Sequence, residues 1–177
     1  MIDYNLEQGR QLWLVASPID CEKQDLWNEV HQFMYKHVDL PDEELYDVLT
    51  SWILCTWVVD KFPVTPYLKA IAPKASGKTR LLDTLYHLCY RGVKSSTLSP
   101  ASVYRILEKW KVTIILDETE RYKGDDDMLG ILNAGYKRGD FAIRVTDPIN
   151  NELGLYRTLG FKALGGTEEL KDTLESR

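Results

Sequence analysis

Gly77, Lys78 and Thr79 stand together five residues after Ala72. This spacing matches the phosphate-binding pattern G-x-x-x-x-G-K-[ST], except that Ala72 replaces the usual first glycine. In this pattern the loop amides and the following helix N-terminus offer donors to an anion. Lys78 would reach the β- and γ-phosphates of a nucleotide, and the Thr79 hydroxyl would hold Mg²⁺. The residues expected to line the nucleotide are Pro73, Lys74, Ala75, Ser76, Gly77, Lys78, Thr79 and Arg80.

The alanine at the start of this loop is a departure from the pattern. Because alanine disfavours positive φ, Ala72 must adopt a conformation that is open to an L-residue. The alternative interpretation is a chance Gly-Lys-Thr sequence at the start of a helix. A short apolar run ending at Ile71 and a helical pattern after Thr79 favour the phosphate loop, because that loop joins a strand to a helix.

A second stretch, residues 111–118, ends in two carboxylates. It reads Lys-Val-Thr-Ile-Ile-Leu-Asp-Glu, which predicts a buried parallel strand with Asp117 and Glu118 at its carboxyl end. Asp117 would hold Mg²⁺, partly through water, and Glu118 would polarise an attacking water. The alternative is a strand followed by an ordinary acidic turn. That alternative is less favoured because the same chain carries the phosphate-loop pattern, which ends at Thr79, 38 residues before Asp117.

Size and composition indicate one soluble globular domain. The chain has 177 residues, 44% hydrophobic residues and a net charge of −5. It contains no apolar run of the roughly 18 residues that span a membrane. Its start does not resemble a signal peptide. The three cysteines, Cys21, Cys55 and Cys89, match neither a zinc pattern nor a disulfide framework and indicate free thiols in a cytoplasmic protein.

The charge is unevenly distributed along the chain. Residues 1–60 hold 12 acidic and 3 basic residues, whereas residues 61–177 hold 15 acidic and 19 basic residues. Any contact with nucleic acid is therefore expected in the second part. The alternative is that the first helices have solvated acidic faces.

Helical spacing of apolar residues predicts helices over residues 22–37 and 41–61. The expected buried stripe of the second helix is Leu45, Val48, Leu49, Trp52, Ile53, Trp57 and Val58. From residue 66 onward, strands at 66–71, 93–98, 112–117 and 161–164 alternate with helices, and Gly92 is expected to cap the helix after the loop. This alternation predicts an α/β sandwich with a mostly parallel sheet.

Three further segments complete the prediction. Strands at 141–146 and 153–159 predict an inserted β-hairpin. Residues 11–17 are consistent with another strand, and residues 168–177 with a helix.

Four segments carry a family resemblance: Ala72 to Thr79, Leu116-Asp117-Glu118, Ile131 to Gly139 and Phe161 to Leu164. Together they resemble helicase-like P-loop ATPases of viral, plasmid and archaeal primase-helicase replication proteins, which are related to AAA+ proteins and superfamily 3 helicases. The resemblance implies a three-layer P-loop sandwich over residues 63–177, with residues 1–62 as a mainly helical extension. Such proteins continue after this region with a further strand and a helical lid. Either this sequence is therefore a fragment that lacks them, or another strand, for which residues 11–17 are a candidate, completes the sheet.

The resemblance also implies site roles. ATP and Mg²⁺ would be the cofactors, with Lys78 and Glu118 catalytic and Thr79 and Asp117 near the metal. Thr167 matches the position of a polar sensor of the γ-phosphate. Arg177 matches an arginine that such proteins present to the nucleotide of a neighbouring subunit, which implies a homo-oligomeric ring.

A DNA contact is expected at the hairpin, because related ring helicases place an inserted hairpin in their central channel. The candidate contacts to single- or double-stranded DNA are Lys137, Arg138, Arg144 and Arg157, with Lys162 nearby. The alternative is a surface hairpin with solvated charges.

The expected function is therefore an ATP-driven DNA helicase, translocase or loader of a replication machine. The alternatives are a non-catalytic nucleotide-binding switch and a P-loop nucleotide kinase. Glu118 argues against the kinase, which has no need of a carboxylate to polarise water.

Overall fold

The structure is a computed structural model that describes residues 22–147, 152–168 and 170. Five α-helices are described: α1 Lys23–His37, α2 Glu44–Thr56, α3 Lys78–Leu88, α4 Pro100–Trp110 and α5 Asp126–Ala134. The strands are β1 Leu68–Ile71, β2 Gly92–Ser95, β3 Thr113–Leu116, β4 Phe141–Asp147, β5 Glu152–Arg157 and β6 Lys162–Gly166. Residues 11–17, most of 168–177, Cys21 and Arg177 lie outside the described residues.

Four of the strands form one parallel sheet in the order β1-β6-β3-β2. Ile71 pairs with Gly166 and Leu116 with Leu164, so β1, β6 and β3 end at the same edge. Parallel neighbours require crossover connections, which the helices supply. The prediction of an α/β fold with a mostly parallel sheet is therefore confirmed. The predicted hairpin is also present, as the separate antiparallel pair β4–β5.

Helices cover both faces of this sheet. Ile114 and Leu116 of β3 point into one core, which includes residues of α4 and α5. Ile115, the residue between them, points into the other core with residues of α1, α2 and α3. Because successive side chains of a strand alternate between faces, β3 is buried on both sides. The first two helices therefore share a core with the sheet.

Local sequence signals explain where two of the helices begin. Ser99 caps α4 by accepting a hydrogen bond from the Ser102 amide at 3.2 Å, with Pro100 in the first helical position. Asp125 caps α5 by accepting from the Met128 amide at 2.9 Å. Both helices therefore begin directly after a residue whose side chain caps them.

The prediction that Gly92 caps a helix was wrong. Helix α3 ends at Leu88, and Gly92 is the first residue of β2. A Cβ at this position would lie 2.5 Å from the Tyr86 carbonyl oxygen, so the strand approaches the helix too closely for a side chain. Glycine is needed here for space.

Part of the predicted buried stripe of α2 was also wrong. Leu49, Trp52 and Ile53 are buried, but Leu45, Val48, Trp57 and Val58 are exposed. Helix α2 ends at Thr56, so Trp57 and Val58 follow its last turn and leave its buried face. The Trp57 indole instead donates to the Leu88 carbonyl at 2.9 Å.

The ends of the hairpin insertion meet at a buried lysine. Lys162 of β6 is fully buried, and its ammonium donates to the carbonyls of Gly135, Thr158 and Gly160 at 3.0 to 3.1 Å. Its Nζ also lies 4.7 Å from the centre of the Tyr67 ring. Lys162 therefore joins the two ends of the hairpin to the centre of the sheet.

The outer face of the hairpin is apolar. The exposed side chains of this face are Phe141, Ile143, Val145, Leu153 and Leu155. On the other face Tyr156 packs against Tyr104 of α4, with ring centres 4.6 Å apart.

Candidate functional site

The predicted loop lies between β1 and α3, at the edge where β1, β6 and β3 end. Gly77 has φ +85° and Ala75 has φ +61°, so two residues adopt the left-handed region within the turn. No atom lies within 4 Å of a Cβ built on Gly77, and glycine is therefore favoured here by backbone conformation rather than by space. Ala72 keeps a negative φ, which an L-residue adopts without strain, and its amide donates to the Gly166 carbonyl at 3.2 Å.

Lys78 lies across this loop. Its ammonium donates to the carbonyls of Ala72 and, at 2.6 Å, Pro73, and to the Ser76 hydroxyl at 3.4 Å. The ammonium is thus held on the concave side of the loop, where a phosphate would meet it together with loop amides.

Arg80, in the first turn of α3, has a different environment. Its guanidinium donates to the His37 carbonyl at 3.1 Å, and a second nitrogen lies 3.4 Å from the His37 ring. The structure therefore brings Arg80 to the end of α1 and not to the concave side of the loop.

Asp117 follows β3 directly and is mostly buried. Its Oδ1 accepts the Glu118 amide at 3.0 Å, and its Oδ2 lies 3.6 Å from Lys94 Nζ. Lys94 also pairs with Asp83 of α3 at 2.7 Å. Lys94 therefore pairs with the carboxylates of both Asp83 and Asp117.

Sequence reasoning missed Lys94 and Asp83. The available signal for Asp83 was its position four residues after Thr79, which places both on one face of α3. Lys94 sits in a strand whose neighbour carries Asp117, and only the pairing of β2 with β3 reveals that contact.

Glu118 is exposed and paired with a neighbour. Its backbone is left-handed, with φ 55° and ψ 47°, and its carboxylate binds the Arg121 guanidinium at 2.8 Å. Half of its side chain is accessible. A carboxylate in this state is free to turn towards the loop, because an exposed ion pair contributes little to stability.

A second glutamate, Glu120, lies closer to the loop. Its Oε2 accepts the Thr167 amide at 3.2 Å. Hydrogen bonds from its own backbone amide and from Thr167 lower the pKa of Glu120, and the charge of Lys78 contributes in the same direction. Sequence reasoning also missed Glu120. The available signal was its position three residues after Asp117, in the segment that follows β3. Thr167, the predicted sensor, lies directly after β6.

An apolar cavity of about 300 Å³ borders the loop. Its walls come from the segment between α1 and α2, from β1, and from the loop itself. Among its lining residues are Val38, Leu40, Leu45, Val48, Ile71 and Gly77. A flat apolar group attached to a phosphate in the loop would have space here.

The predicted DNA residues are only partly brought together. Arg138 and Arg157 line a second cavity of about 270 Å³ with Lys111 at the base of the hairpin. Arg138 also donates to the carbonyls of Asp60 and Phe62 at 2.6 and 3.0 Å.

The other predicted DNA residues are distributed differently. Arg144 lies over the Tyr104 ring on the packed side of the hairpin, 4.0 Å from Asp127, and Lys137 is exposed. Lys162 is fully buried and has no surface with which to contact DNA.

A nucleotide with Mg²⁺ would need cations for its phosphates and one or two protein oxygens for the metal. No cluster of three or more His, Cys, Asp or Glu side chains suited to a metal occurs among the described residues. Mg²⁺ does not require such a cluster, because it is usually held by one or two protein oxygens, water and phosphates. Thr79 and Asp117 supply oxygens of this kind.

Comparison with known proteins finds no matching protein-family model and no matching curated protein. In the described part of the chain, the helices are all too short or too polar to cross a membrane.

Proposed function

We propose that this chain is an ATP-binding and ATP-hydrolysing domain of the P-loop type, related to AAA+ proteins and superfamily 3 helicases. The observation that carries the proposal is the placement of Lys78 and Asp117 at one edge of a parallel sheet. Ligands of open α/β sheets bind outside the carboxyl ends of the strands. The strand order β1-β6-β3-β2, with the loop after β1, agrees with this class of fold.

Each element of the site has a role in this proposal. The loop amides and Lys78 bind the phosphates, and the apolar cavity beside the loop takes the base. Thr79 and Asp117 hold Mg²⁺, which neutralises charge on the phosphates when bound. Lys94 pairs with both Asp83 and Asp117, so it would stay paired with Asp83 if Asp117 were to hold the metal. Glu118 leaves Arg121 and orients the attacking water.

The hairpin supports a role on DNA. Arg138, Arg157 and Lys111 line one cavity at its base together with Asp60 and Asp140, and cations of this kind bind a phosphate backbone without reading the bases. We propose a helicase, translocase or loader of a replication machine, acting in the cytoplasm as a ring in which Arg177 reaches the neighbouring nucleotide.

A second candidate is a nucleotide-binding switch that hydrolyses ATP slowly. Glu118 pairs with Arg121 in the structure, and the switch applies if this pairing persists when nucleotide is bound.

The test is ATP binding and turnover with and without single-stranded DNA, using Lys78→Ala and the exposed Lys61→Ala as a charge-matched control. We expect Lys78→Ala to lose nucleotide binding or turnover while its circular dichroism spectrum is unchanged, and Lys61→Ala to behave as the wild type. Normal ATP affinity and turnover in Lys78→Ala would refute the proposal. Binding of ATP with turnover that stays very slow, with or without DNA, would favour the switch.

A further inference from the structure

The two glutamates that follow β3 point to different partners. Glu118 pairs with Arg121 on the surface. Glu120 instead reaches the end of β6, where its Oε2 accepts the Thr167 amide at 3.2 Å. Of the two, only Glu120 has a described contact with another strand end of the site.

We propose that Glu120 is a positioning residue of the phosphate site, which fixes the backbone of Thr167 beside the loop that carries Lys78. This inference rests on the proposed function, since it assigns a role within the same nucleotide site. It adds a residue that the phosphate-loop and strand motifs do not contain.

The first support is the packing at Gly166, the residue before Thr167. A Cβ on Gly166 would lie 2.5 Å from the Thr119 hydroxyl oxygen and 3.0 Å from Glu120 Oε2. The turn after β3 therefore rests directly on the end of β6, and a side chain at residue 166 would push the two apart.

The second support is the link from β6 to the loop. The Gly166 carbonyl accepts the Ala72 amide at 3.2 Å, and the Ala72 carbonyl in turn accepts Lys78 Nζ. Glu120, Thr167 and Lys78 are thus connected through two consecutive residues of β6 and the first residue of the loop. A displacement of Thr167 would therefore act on the hydrogen bonds that hold the first residue of the loop.

The third support is a polar atom with no partner. The Thr119 hydroxyl is buried, and no hydrogen-bond partner for it occurs within the described residues. Such a group in a protein interior is usually satisfied by water or a ligand. The Thr119 hydroxyl lies against Gly166, where the turn after β3 meets the end of β6.

The chemistry of the contact determines the test. Gln at position 120 keeps an oxygen that accepts the Thr167 amide but loses the charge. Ala removes the acceptor, and Asp keeps the charge but withdraws it by one methylene. A positioning role therefore predicts that Glu120→Gln resembles the wild type, whereas Glu120→Ala and Glu120→Asp are both impaired.

The experiment measures steady-state ATP hydrolysis for these three variants and for Glu168→Ala. Glu168 is adjacent to Thr167 but forms only an exposed ion pair with Lys123. We expect Glu120→Ala and Glu120→Asp to lower kcat about tenfold or more, with KM for ATP within about twofold, because the acceptor of the Thr167 amide is removed or withdrawn. Glu120→Gln and Glu168→Ala should stay within about threefold of the wild-type kcat.

A second measurement does not depend on turnover. Hydrogen exchange at the Thr167 amide should accelerate in Glu120→Ala and Glu120→Asp and stay slow in Glu120→Gln. Unchanged exchange in Glu120→Ala would overturn the inference, as would a Glu120→Gln variant as impaired as Glu120→Ala. If Lys78→Ala is inactive while Glu120→Ala has normal kcat, the inference fails and the proposed function stands. If the wild type does not bind ATP, the proposed function fails and the inference fails with it.

Discussion

The buried ammonium of Lys162 makes the stability of this protein depend on pH. Removal from water lowers the pKa of Lys162 to about 7, whereas an unfolded chain exposes a lysine with a pKa of about 10.4. Between these two values the unfolded state binds more protons than the folded state. The free energy of unfolding therefore rises with pH in this window.

The magnitude follows from the same linkage. Once most of the folded Lys162 is neutral, each pH unit adds up to about 1.4 kcal/mol. Between pH 7.5 and 9 the expected gain is thus about 2 kcal/mol or less. The three carbonyl acceptors and the Tyr67 ring favour the ammonium form, which limits the gain. Below about pH 7 both states are protonated and the contribution of Lys162 becomes constant.

The thiol of Cys89 limits the pH range over which the free energy of unfolding rises. Burial raises the pKa of its thiol to about 12, against a smaller lowering by a hydrogen bond to Thr56. Because an unfolded thiol ionises at about pH 8.5, the unfolded state loses its proton first and the contribution of Cys89 to stability falls above that pH. Between about pH 8.5 and 10.4 this loss nearly cancels the gain from Lys162, so the two buried groups together predict a stability that levels off in this range.

The assay is urea unfolding at several pH values between 6 and 9 for the wild type and Lys162→Met. Met has a similar length and carries no charge, so the variant should lose the part of the slope that Lys162 supplies. Subtracting the two slopes of unfolding free energy against pH cancels the contributions of titrating groups that both proteins share. A Lys162→Met variant with the wild-type slope would refute the reasoning, since the pH dependence would then come from another group.

Two predictions concern the proposed activity. Glu118→Gln should keep ATP affinity and lower the hydrolysis rate on the order of 10²-fold, because Gln cannot act as a carboxylate; a loss of binding without a loss of rate per bound ATP would make Glu118 structural. Replacing Arg138 and Arg157 together by Gln should weaken binding of single-stranded DNA of any sequence and reduce its salt dependence by up to about two charges. ATP affinity should be unchanged in that double variant, and a fluorescence titration at several salt concentrations that shows no change in DNA affinity would exclude the hairpin as the contact.

Much of the sheet could be predicted because its signals are local. The run ending at Leu116 reads as a buried strand, and Ser99-Pro100 reads as a helix start, whatever the rest of the chain does. The loop after β1 was predictable for the same reason, because its glycine, lysine and threonine are consecutive. Local pattern is thus sufficient for elements whose burial follows from their own sequence.

Features that depend on the arrangement of elements could not be predicted. The exposure of Trp57 depends on where α2 ends, and the tight packing of Gly92 depends on the distance of β2 from α3. The contact of Glu120 with Thr167 joins residues 47 positions apart, and only the adjacency of β3 and β6 brings them together. Lys162 looked like a surface cation because a sequence does not reveal which carbonyls will surround an ammonium.

The closure of the chain around Lys162 has a consequence for how this protein tolerates insertions. The Gly160 amide donates to the Gly135 carbonyl at 3.3 Å, so the chain leaves the body of the protein and returns at almost the same point. A segment whose ends lie side by side can be altered without moving the strands on either side of it. Changes of length at the far end of the hairpin, which leave the packing of Tyr156 on Tyr104 and the Thr158 carbonyl in place, are therefore compatible with the same sheet. The same position is suited to grafting a reporter peptide, provided that Lys162 and the glycines beside it are kept.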